Sequence, residues 1–354
     1  GILIEREVWP NLLDQAQVAD VPIILASARF SERAQGHVRR IDQLFLSLMR
    51  NTYASIDLVL AQTEDDARRL FEVGASNVQI VGNLKFDAAL PIVAVDAGRS
   101  WRQRLTRPVI SISSTREGED AMFVSAIEHQ LKHPEVLPED YSVHDVHFDP
   151  ILTPMPVTTD IKSKPQAAVD AVEEATPTAP LPLFFLIPRH PQRFDEAAAL
   201  LEQSGLRFVR WSDIRHHSHA DHELADVRVV LGDTLGEMPF FYAASDVAIV
   251  AGSFAPHGGQ NLIEACAMGT PVIVGPFTRN FADAVNGAVA AGAAIQIQSS
   301  ALVDPALRAV ATALNWLKDP EALSERGRLG REWVGLHTGA TTRILQHIND
   351  FEAA

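Results

Sequence analysis

The chain has 354 residues, of which 47% are hydrophobic and 21% are charged, and this is typical of a globular protein large enough for two domains. Its formal net charge of −15 disfavours nucleic acid as a partner, because a phosphate backbone repels an acidic surface. Cys266 is the only cysteine, which excludes an internal disulfide, and no apolar run reaches the roughly 18 residues that a membrane-spanning helix requires.

Residues 1–88 alternate between predicted strands and predicted helices. Strands are expected at 2–5, 21–26, 58–61 and 78–81. Apolar residues recur at three- and four-residue spacing from 32 to 51 and predict one continuous helix, and a further helix is expected at 64–73. The arginines of the first helix fit a helix packed on a sheet, with a basic face on a membrane surface as the alternative. The βα series predicts a parallel sheet with helices on its faces.

A second βα unit begins at residue 108. Its strands are expected at 109–112, 183–187, 207–210, 227–231, 247–251 and 271–274, and helices follow from about 304. Between 133 and 182 nine prolines are scattered among polar residues, so we expect a disordered surface insertion. Residues 213–226 include four histidines, for which zinc ligation is an alternative. No cysteine or acidic frame with ligand spacing accompanies them, and we expect no metal site.

The stretch 247–265 carries the clearest signal for a ligand site. A buried strand leads into a loop that contains Gly252, Ser253, Gly258 and Gly259, and a helix is expected to follow. Glycines allow a ligand to approach the backbone closely, and the first N–H groups of a helix suit an anion. The alternative is a capped helix whose glycines serve packing.

Asn261 and Glu264 are three residues apart and are therefore expected on one face of that helix, just inside its N-terminus. An amide near a phosphate and a carboxylate that accepts hydrogen bonds from two vicinal hydroxyls are what a nucleotide sugar needs. The stretch by itself fits a nucleotide-sugar site and a purely structural helix start equally, and its context in the chain favours the site.

Four motifs directly follow predicted strands of the second unit, at Ser114, Arg189, Gly232 and Gly258. Ligands of parallel α/β sheets bind beyond the carboxyl ends of the strands. The sequence therefore predicts an α/β protein of two facing Rossmann-like domains, with a nucleotide-type crevice in the second domain.

Seven segments occur in the same order as in the 3-deoxy-D-manno-octulosonic acid (Kdo) transferases of lipopolysaccharide synthesis. They are EREVWPN at 5–11, SARFS at 27–31, GNLKFD at 82–87, STREGE at 114–119, PRHPQRF at 188–194, GDTLGE at 232–237 and GGQNLIEA at 258–265. The chain resembles this family over almost its whole length, except for 133–182 and the histidine-rich loop. The resemblance implies the GT-B fold, CMP-Kdo as the donor, a lipid A precursor as the acceptor, and inversion at the anomeric carbon without a metal or other cofactor.

The resemblance also implies a division of the chain. Residues 1–88 would form the acceptor-side domain, 89–107 an interdomain linker, and 108–333 the nucleotide-sugar-binding domain. Residues 334–354 would form a C-terminal helix that packs back toward the N-terminal domain. We expect the protein to work at the cytoplasmic face of the bacterial inner membrane, as a peripheral protein in the present form. No oligomeric state follows from the sequence.

The donor site is assigned residue by residue from the same resemblance. It implies that Arg189 and Met238 contact the cytidine and that Glu264 binds the ribose hydroxyls. The phosphate that departs as CMP is expected to be held by Ser253, Gly258, Gly259 and Asn261. The set of expected donor-binding residues is completed by Ser114 and His190.

Three residues are expected to act on the acceptor side, Glu5, Arg29 and Lys85. The first two lie in motifs that face the acceptor in the family, and Lys85 is a suitable cation for a sugar carboxylate or a phosphate. A surface ion pair is the alternative for Arg29 and Lys85. Glu5 and Glu7 have a second interpretation as helix-start charges that favour the dipole, but Glu5 ends a strand, which favours a functional role.

The chain departs from the family at its beginning. Gly1 lies inside a predicted strand without an initiator methionine, so we expect a truncated N-terminal domain. Members of the family begin with a membrane-anchoring segment and a glycine-rich stretch that supplies the carboxylate thought to act as general base. We expect that base upstream of the present chain. Because an attacking hydroxyl needs a base within hydrogen-bond reach, we expect this chain alone to transfer Kdo at no more than a trace rate.

The sequence leaves two other functions open. One is another GT-B enzyme that uses a UDP-sugar, either a glycosyltransferase or a sugar-nucleotide 2-epimerase. The other is a non-catalytic nucleotide-binding remnant. Titration with CMP and with UDP separates the first alternative from a Kdo transferase, because a preference for CMP is not expected of UDP-sugar enzymes.

Overall fold

The computed structural model describes residues 1–44, 47–133, 181–216, 224–300 and 303–353. These residues form two α/β units, each built on a parallel sheet with helices packed against it. The predicted α/β class with two parallel-sheet domains is therefore confirmed. Most of the expected insertion, at 134–180, and the histidine-rich stretch 217–223 lie outside the described residues.

The N-terminal sheet has four described strands, which pair in chain order. They are β1 (Ile2–Ile4), β2 (Ile24–Ala28), β3 (Leu58–Ala61) and β4 (Val78–Ile80). All neighbours are parallel, with Ile2 opposite Ile24 and Val59 opposite Val78. The connections carry α1 (Pro10–Val18), α2 (Glu32–Leu44), α3 (Leu48–Ala54) and α4 (Glu64–Glu72). The strands β2 and β3 are buried throughout, as continuous apolar runs in a parallel sheet require.

The prediction of one helix over 32–51 is wrong. The helix α2 ends at Leu44, and α3 begins after Ser47, whose backbone is left-handed with φ of 66°. The Asp42 carboxylate accepts hydrogen bonds from the N–H groups of Met49 at 2.7 Å and Arg50 at 3.2 Å. A side chain of the first helix thus satisfies the open amides that start the second, which apolar periodicity does not report.

The C-terminal sheet has seven described strands, all parallel. They are β5 (Val109–Thr115), β6 (Leu183–Pro188), β7 (Phe208–Arg210), β8 (Val229–Leu231), β9 (Val247–Val250), β10 (Val272–Val274) and β11 (Ala294–Gln296). Their order across the sheet is β11-β10-β9-β5-β6-β8-β7. The chain therefore builds outward in opposite directions from the β5–β9 boundary, which is the topological switch point of the sheet.

Nine described helices accompany this sheet. They are α5 (Ile92–Gln103), α6 (Glu119–Lys132), α7 (Phe194–Ser204), α8 (Trp211–Ile214), α9 (Met238–Ala243), α10 (Ile263–Met268), α11 (Ala282–Ala290), α12 (Pro305–Trp316) and α13 (Pro320–His337). Apolar clusters fill both faces of the sheet, one of them around α6 and α12.

The stretch 89–107, for which we expected a linker, contains α5. Its Trp101 is buried and packs 5.3 Å from Phe185 and 6.0 Å from Trp211, measured between ring centroids. The Arg102 guanidinium donates to the Asp246 carboxylate at 2.9 Å. The helix α5 is therefore a packed part of the C-terminal domain.

The last described helix, α14 (Ala340–Glu352), packs on the N-terminal sheet. Its Ile344 is buried with residues of β2 and β3. The Asp87 carboxylate accepts hydrogen bonds from the N–H groups of Gly339 at 2.6 Å and Thr341 at 2.5 Å, and Arg343 Nε donates to the Val81 carbonyl at 2.8 Å. The chain thus leaves the C-terminal domain at the end of α13 and completes the first domain. Across the described ranges, no helix is both long enough and apolar enough to cross a membrane.

Candidate active site

The carboxyl ends of four neighbouring strands of the C-terminal sheet meet at one edge. The N–H of Arg189, just after β6, donates to the Thr115 carbonyl at the end of β5, at 3.0 Å. The N–H of Ala251, after β9, donates to the Ser113 carbonyl at 2.8 Å, and the N–H of Gly232, after β8, donates within the same edge. The motifs predicted to converge therefore leave the sheet side by side, at the switch point.

A buried carboxylate joins the turn after β5 to the glycine-rich loop after β9. Glu119 is 0% exposed, and its Oε2 accepts hydrogen bonds from the N–H groups of Gly252 at 2.6 Å and Arg116 at 2.9 Å. Its Oε1 accepts from Phe254 at 2.8 Å and Ala255 at 3.1 Å. Sequence reasoning missed this residue. Its place in the first turn of α6 was a visible signal, but three of its four partners lie more than 130 residues away along the chain.

Ser114 has a left-handed backbone, with φ of 59°, and is buried. This conformation is costly for a residue with a side chain, and it coincides with a shift of strand register between Ser113 and Thr115. The next residue, Thr115, donates its hydroxyl to Asp120, and Asp120 pairs with Arg193 at 2.5 Å. The irregular turn is thus fixed to the loop after β6, which carries Arg189 and His190.

Ser253 and the two glycines of the loop are engaged with protein groups. The Ser253 hydroxyl donates to the Val250 carbonyl at 2.8 Å and accepts from the Gly275 N–H at 2.8 Å, so it ties β9 to the loop after β10. Gly258 and Gly259 have φ of 97° and 86° and are buried. A Cβ on Gly258 would lie 2.5 Å from the side-chain amide nitrogen of Asn280. These glycines therefore permit close packing of two loops, which is the structural role that the sequence left as an alternative.

The helix expected to contain Asn261 begins two residues later. The helix α10 starts at Ile263 and has six residues, so Asn261 precedes it and is not inside its first turn. Asn261 accepts a hydrogen bond from the Ile263 N–H at 3.1 Å and donates one to Glu264 Oε1 at 3.1 Å. The two side chains are together as predicted, and both remain partly exposed.

A buried phenol, that of Tyr242, lies near some of the residues expected at the nucleoside. Tyr242 shares a hydrogen bond of 3.0 Å with the Ser113 hydroxyl. Burial raises the pKa of Tyr242 well above its usual range. The negative charge of Glu264 adds to this rise in pKa, whereas the hydrogen bond with Ser113 and the positive charge of Arg189 lower the pKa. Glu264 and Arg189 therefore lie within electrostatic reach of one group. Met238 begins α9, the helix that carries Tyr242, and is partly buried beside it.

The three acceptor-side residues lie together along the cleft between the domains. This cleft has a volume of about 480 Å³ and is lined by Arg29 and Lys85 from the first domain and by Phe281, Trp333 and other residues of the second. Lys85 Nζ lies 2.6 Å from Glu5 Oε1 and 5.4 Å from the centre of the Phe281 ring. Each side chain of this ion pair is 34% exposed. Glu5 follows β1 with φ of 58°, and no acidic residue lies in the first turn of α1, so its helix-start interpretation is wrong.

Arg29 crosses the cleft. Its guanidinium donates to the backbone carbonyl of Asn280 and, at 3.3 Å, to that of Arg279. The N–H of Asn280 donates in turn to the Gly258 carbonyl at 2.8 Å. The surface ion-pair interpretation is therefore wrong for Arg29, whereas Lys85 does form an ion pair. Within the described ranges, no group of three or more histidine, cysteine, aspartate and glutamate side chains is placed to hold a metal ion.

The fold is similar to that of known sugar-nucleotide proteins. The UDP-GlcNAc 2-epimerase of Neisseria meningitidis, solved with UDP-GlcNAc, matches with a TM-score of 0.53 at 15% identity, over 98% of this chain and 75% of that one. At this identity the likeness concerns the fold alone. It supports the arrangement of two facing Rossmann-like domains that the GT-B fold requires.

The sequence comparisons are more specific. Residues 1–88 match the protein family described as 3-Deoxy-D-manno-octulosonic-acid transferase (kdotransferase). The 3-deoxy-D-manno-octulosonic acid transferase of Haemophilus influenzae is 28% identical over 357 residues, which covers 99% of this chain and 69% of the relative. The transferase of the same name from Bordetella pertussis is 44% identical over 355 residues, with coverage of 99% and 69%. This similarity extends through both domains and all seven motifs, and the chain belongs to the 3-deoxy-D-manno-octulosonic acid transferase family of glycosyltransferases.

Proposed function

We propose that the chain transfers Kdo from CMP-Kdo to a hydroxyl of a lipid A precursor, with inversion at the anomeric carbon and without a metal ion. Family membership supports the transferred sugar. Within the structure, the proposal is carried by the position of Arg189 and of the glycine-rich loop, which follow β6 and β9 on either side of β5 at the switch point. Parallel α/β sheets bind nucleotides at this position.

The nucleoside is proposed to lie between the ends of β6 and β9. A carboxylate can accept hydrogen bonds from both hydroxyls of a ribose, and Glu264 is partly exposed for this role. The hydrogen bond from Asn261 to one Glu264 oxygen orients the carboxylate. Arg189, His190 and Met238 are proposed to contact the cytosine, because Arg189 and His190 begin the loop after β6 and Met238 follows the loop after β8, at the same edge of the sheet.

The phosphate is proposed to bind along the loop from Gly258 to Asn261, with Ser114 at the facing turn. Backbone N–H groups at such a turn can stabilise the charge that develops when CMP departs. The Ser253 hydroxyl already bonds to two backbone groups, so we propose that it acts mainly by holding the loop in place. This proposal gives Ser253 a smaller part in binding the phosphate than the family resemblance implies.

The acceptor is proposed to enter the cleft between the domains. Lys85 is a cation at this cleft and would bind the carboxylate of the sugar or a phosphate of the acceptor. An anion that binds there would compete with Glu5 for the ammonium group. Glu5 is thus proposed to position Lys85, and Arg29 to hold the acceptor-side domain against the donor loop.

The proposed reaction is a direct displacement. The oxygen of the acceptor hydroxyl bonds to the anomeric carbon on the face opposite the phosphate, and the bond between that carbon and the phosphate oxygen breaks. The electron pair leaves with CMP, and the hydroxyl proton passes to a general base. Because the acceptor is a lipid, the reaction is proposed to take place at the cytoplasmic surface of the inner membrane.

Calorimetric titration with CMP and with UDP tests the proposed donor. We expect CMP to bind at least about tenfold more tightly than UDP. Transfer from freshly made CMP-Kdo to a lipid A precursor then tests the reaction itself. Equal or tighter binding of UDP would instead support the alternative of a UDP-sugar enzyme. Binding of CMP without transfer, both by this chain and by one extended upstream, would support a nucleotide-binding remnant.

A further inference from the structure

We propose that Glu119 is a positioning residue that fixes where the donor phosphate binds, because its carboxylate occupies the first anion-binding turn of the glycine-rich loop. This inference rests on the proposed donor site. The four N–H groups that Glu119 accepts from would otherwise be available to an external anion. The protein therefore carries an internal anion at one end of the loop and leaves the other end for the ligand.

The geometry of Glu119 is that of a bound anion. Each of the two carboxylate oxygens accepts two hydrogen bonds. All four donors are backbone N–H groups, at distances from 2.6 to 3.1 Å. The side chain is 0% exposed. Among the residues that the structure describes, no lysine, arginine or histidine forms an ion pair with it. A carboxylate buried without a cation requires full hydrogen bonding, and here backbone amides and the start of α6 provide it.

The same contacts settle which part of the loop remains open to a phosphate. The N–H groups of Gly252, Phe254 and Ala255 are taken by Glu119, and the N–H of Gly259 donates to the Gly252 carbonyl at 2.6 Å. A phosphate placed against the amides of 252–255 would also meet the negative charge of Glu119 in a site with little water. The donor phosphate is therefore directed away from the amides of 252–255 and from that of Gly259, toward the other N–H groups of the segment from Gly258 to Asn261.

Glu119 also links two strands of the switch point. It accepts from Arg116 in the turn after β5 and from three residues of the loop after β9. Loss of the carboxylate would leave four amides without acceptors and free the two loops to separate. The expected result is a misplaced phosphate site in a protein whose sheet is still intact.

Three variants test the proposal: Glu119→Ala, Glu119→Gln and, as a control, Glu117→Ala. The control removes an exposed carboxylate two residues earlier in the same turn. The measurements are CMP affinity by calorimetry and amide hydrogen exchange at Gly252, Phe254 and Ala255. We expect Glu119→Ala to bind CMP about tenfold or more weakly and to exchange these amides faster, whereas Glu117→Ala behaves as the parent protein.

Recovery of the Glu119→Ala variant in acetate is the decisive measurement. Removal of all but the Cβ of Glu119 leaves a space that matches acetate, so excess acetate should restore both CMP binding and amide protection in Glu119→Ala. Chloride at the same ionic strength should not. Loss of CMP binding without recovery in acetate, or parent-like exchange at the three amides in Glu119→Ala, would overturn the proposal.

Two further results keep the test independent of folding and of the donor assignment. If Glu119→Ala does not fold, Glu119→Gln retains the volume and should still exchange faster either the Gly252 amide or those of Phe254 and Ala255, since a carboxamide offers one acceptor oxygen. Parent-like exchange in folded Glu119→Gln would then overturn the proposal. If the parent protein does not bind CMP, the proposed function fails, while amide exchange and its recovery in acetate still judge the role of Glu119.

Discussion

Three residues with side chains adopt a left-handed backbone where strands of the two sheets end. They are Glu5 after β1, Ser27 in β2 and Ser114 in β5. Each such conformation costs about 1–2 kcal/mol relative to an ordinary one. Ser27 also accepts a hydrogen bond from the Gln62 side chain on its carbonyl at 2.9 Å, which helps to hold the strained turn. Strain of this kind concentrates at functional edges, in keeping with the proposed cleft.

We predict that Glu264→Ala weakens CMP binding by about 1.5–3 kcal/mol, the scale for the loss of a charged hydrogen-bond acceptor. The side chain is partly exposed, and within the described ranges its one hydrogen bond is that from Asn261, so the variant should fold. Calorimetry with CMP measures the loss. Glu202→Ala, on the surface of α7, is the matched control. Parent-like CMP affinity in a folded Glu264→Ala would remove Glu264 from the ribose site.

Most strands could be predicted from the sequence, because a strand buried on both faces of a parallel sheet is a continuous apolar run, as in β3 and β9. The break between α2 and α3 could not, because it depends on a hydrogen bond that the Asp42 carboxylate accepts from the Met49 N–H across the turn. The packing of α5 also depends on tertiary contacts, since Trp101 meets aromatic residues more than 80 positions away.

The candidate site, too, could be predicted from the sequence in part. The three-residue spacing predicted that Asn261 and Glu264 lie together, although Asn261 precedes the helix, and the family resemblance placed Glu5 and Lys85 on the acceptor side, where they form an ion pair. The engagement of Ser253 with backbone groups and the role of Glu119 could not be derived. Both depend on which of two neighbouring loops supplies a hydrogen-bond partner, and linear spacing carries no information about that choice.

At the scale of elements, the hydrogen bonds at the start of α14 predict how the stability of the protein depends on pH. Burial alone would raise the pKa of Asp87, but hydrogen bonds from Thr341 and Gly339 outweigh it and lower the pKa. A carboxylate with a lowered pKa stabilises the fold above its unfolded value of about 3.9, and this contribution is lost as the pH falls through the folded value. We therefore expect Asp87→Ala to be less stable than the parent protein at pH 7.

Urea unfolding of both proteins at a series of pH values checks this. The difference in the free energy of unfolding should be constant at neutral pH and should shrink as the pH falls below about 3.9. Asp350→Ala, near the other end of α14, serves as the control and should show no such trend. A difference that persists unchanged in acid would mean that Asp87 stabilises α14 by packing and not by its charge.

At the scale of the whole molecule, Arg29 is a direct contact between the two domains across the cleft. It binds the carbonyl groups of Arg279 and Asn280, in a loop that packs on Gly258. We predict that Arg29→Ala allows the domains to move apart and raises the radius of gyration in small-angle X-ray scattering. Arg33→Ala, on the exposed surface of α2, should leave the scattering unchanged. Identical curves for Arg29→Ala and the parent protein would show that other contacts hold the domains together.

The return of α14 to the first sheet has a consequence for movement. The polypeptide passes between the domains twice, once before α5 and again at Gly339 between α13 and α14. Two chain connections oppose twisting and sliding of one domain on the other. Rotation of the domains about the line through both connections is therefore the least hindered motion. Phe86 stacks on His337 and meets Trp333 edge-on beside these crossings, with ring centroids 5.0 and 5.1 Å apart, which braces the pivot. We therefore expect any opening of the cleft to follow one arc, and each closure to return the first domain to the same register over the C-terminal sheet.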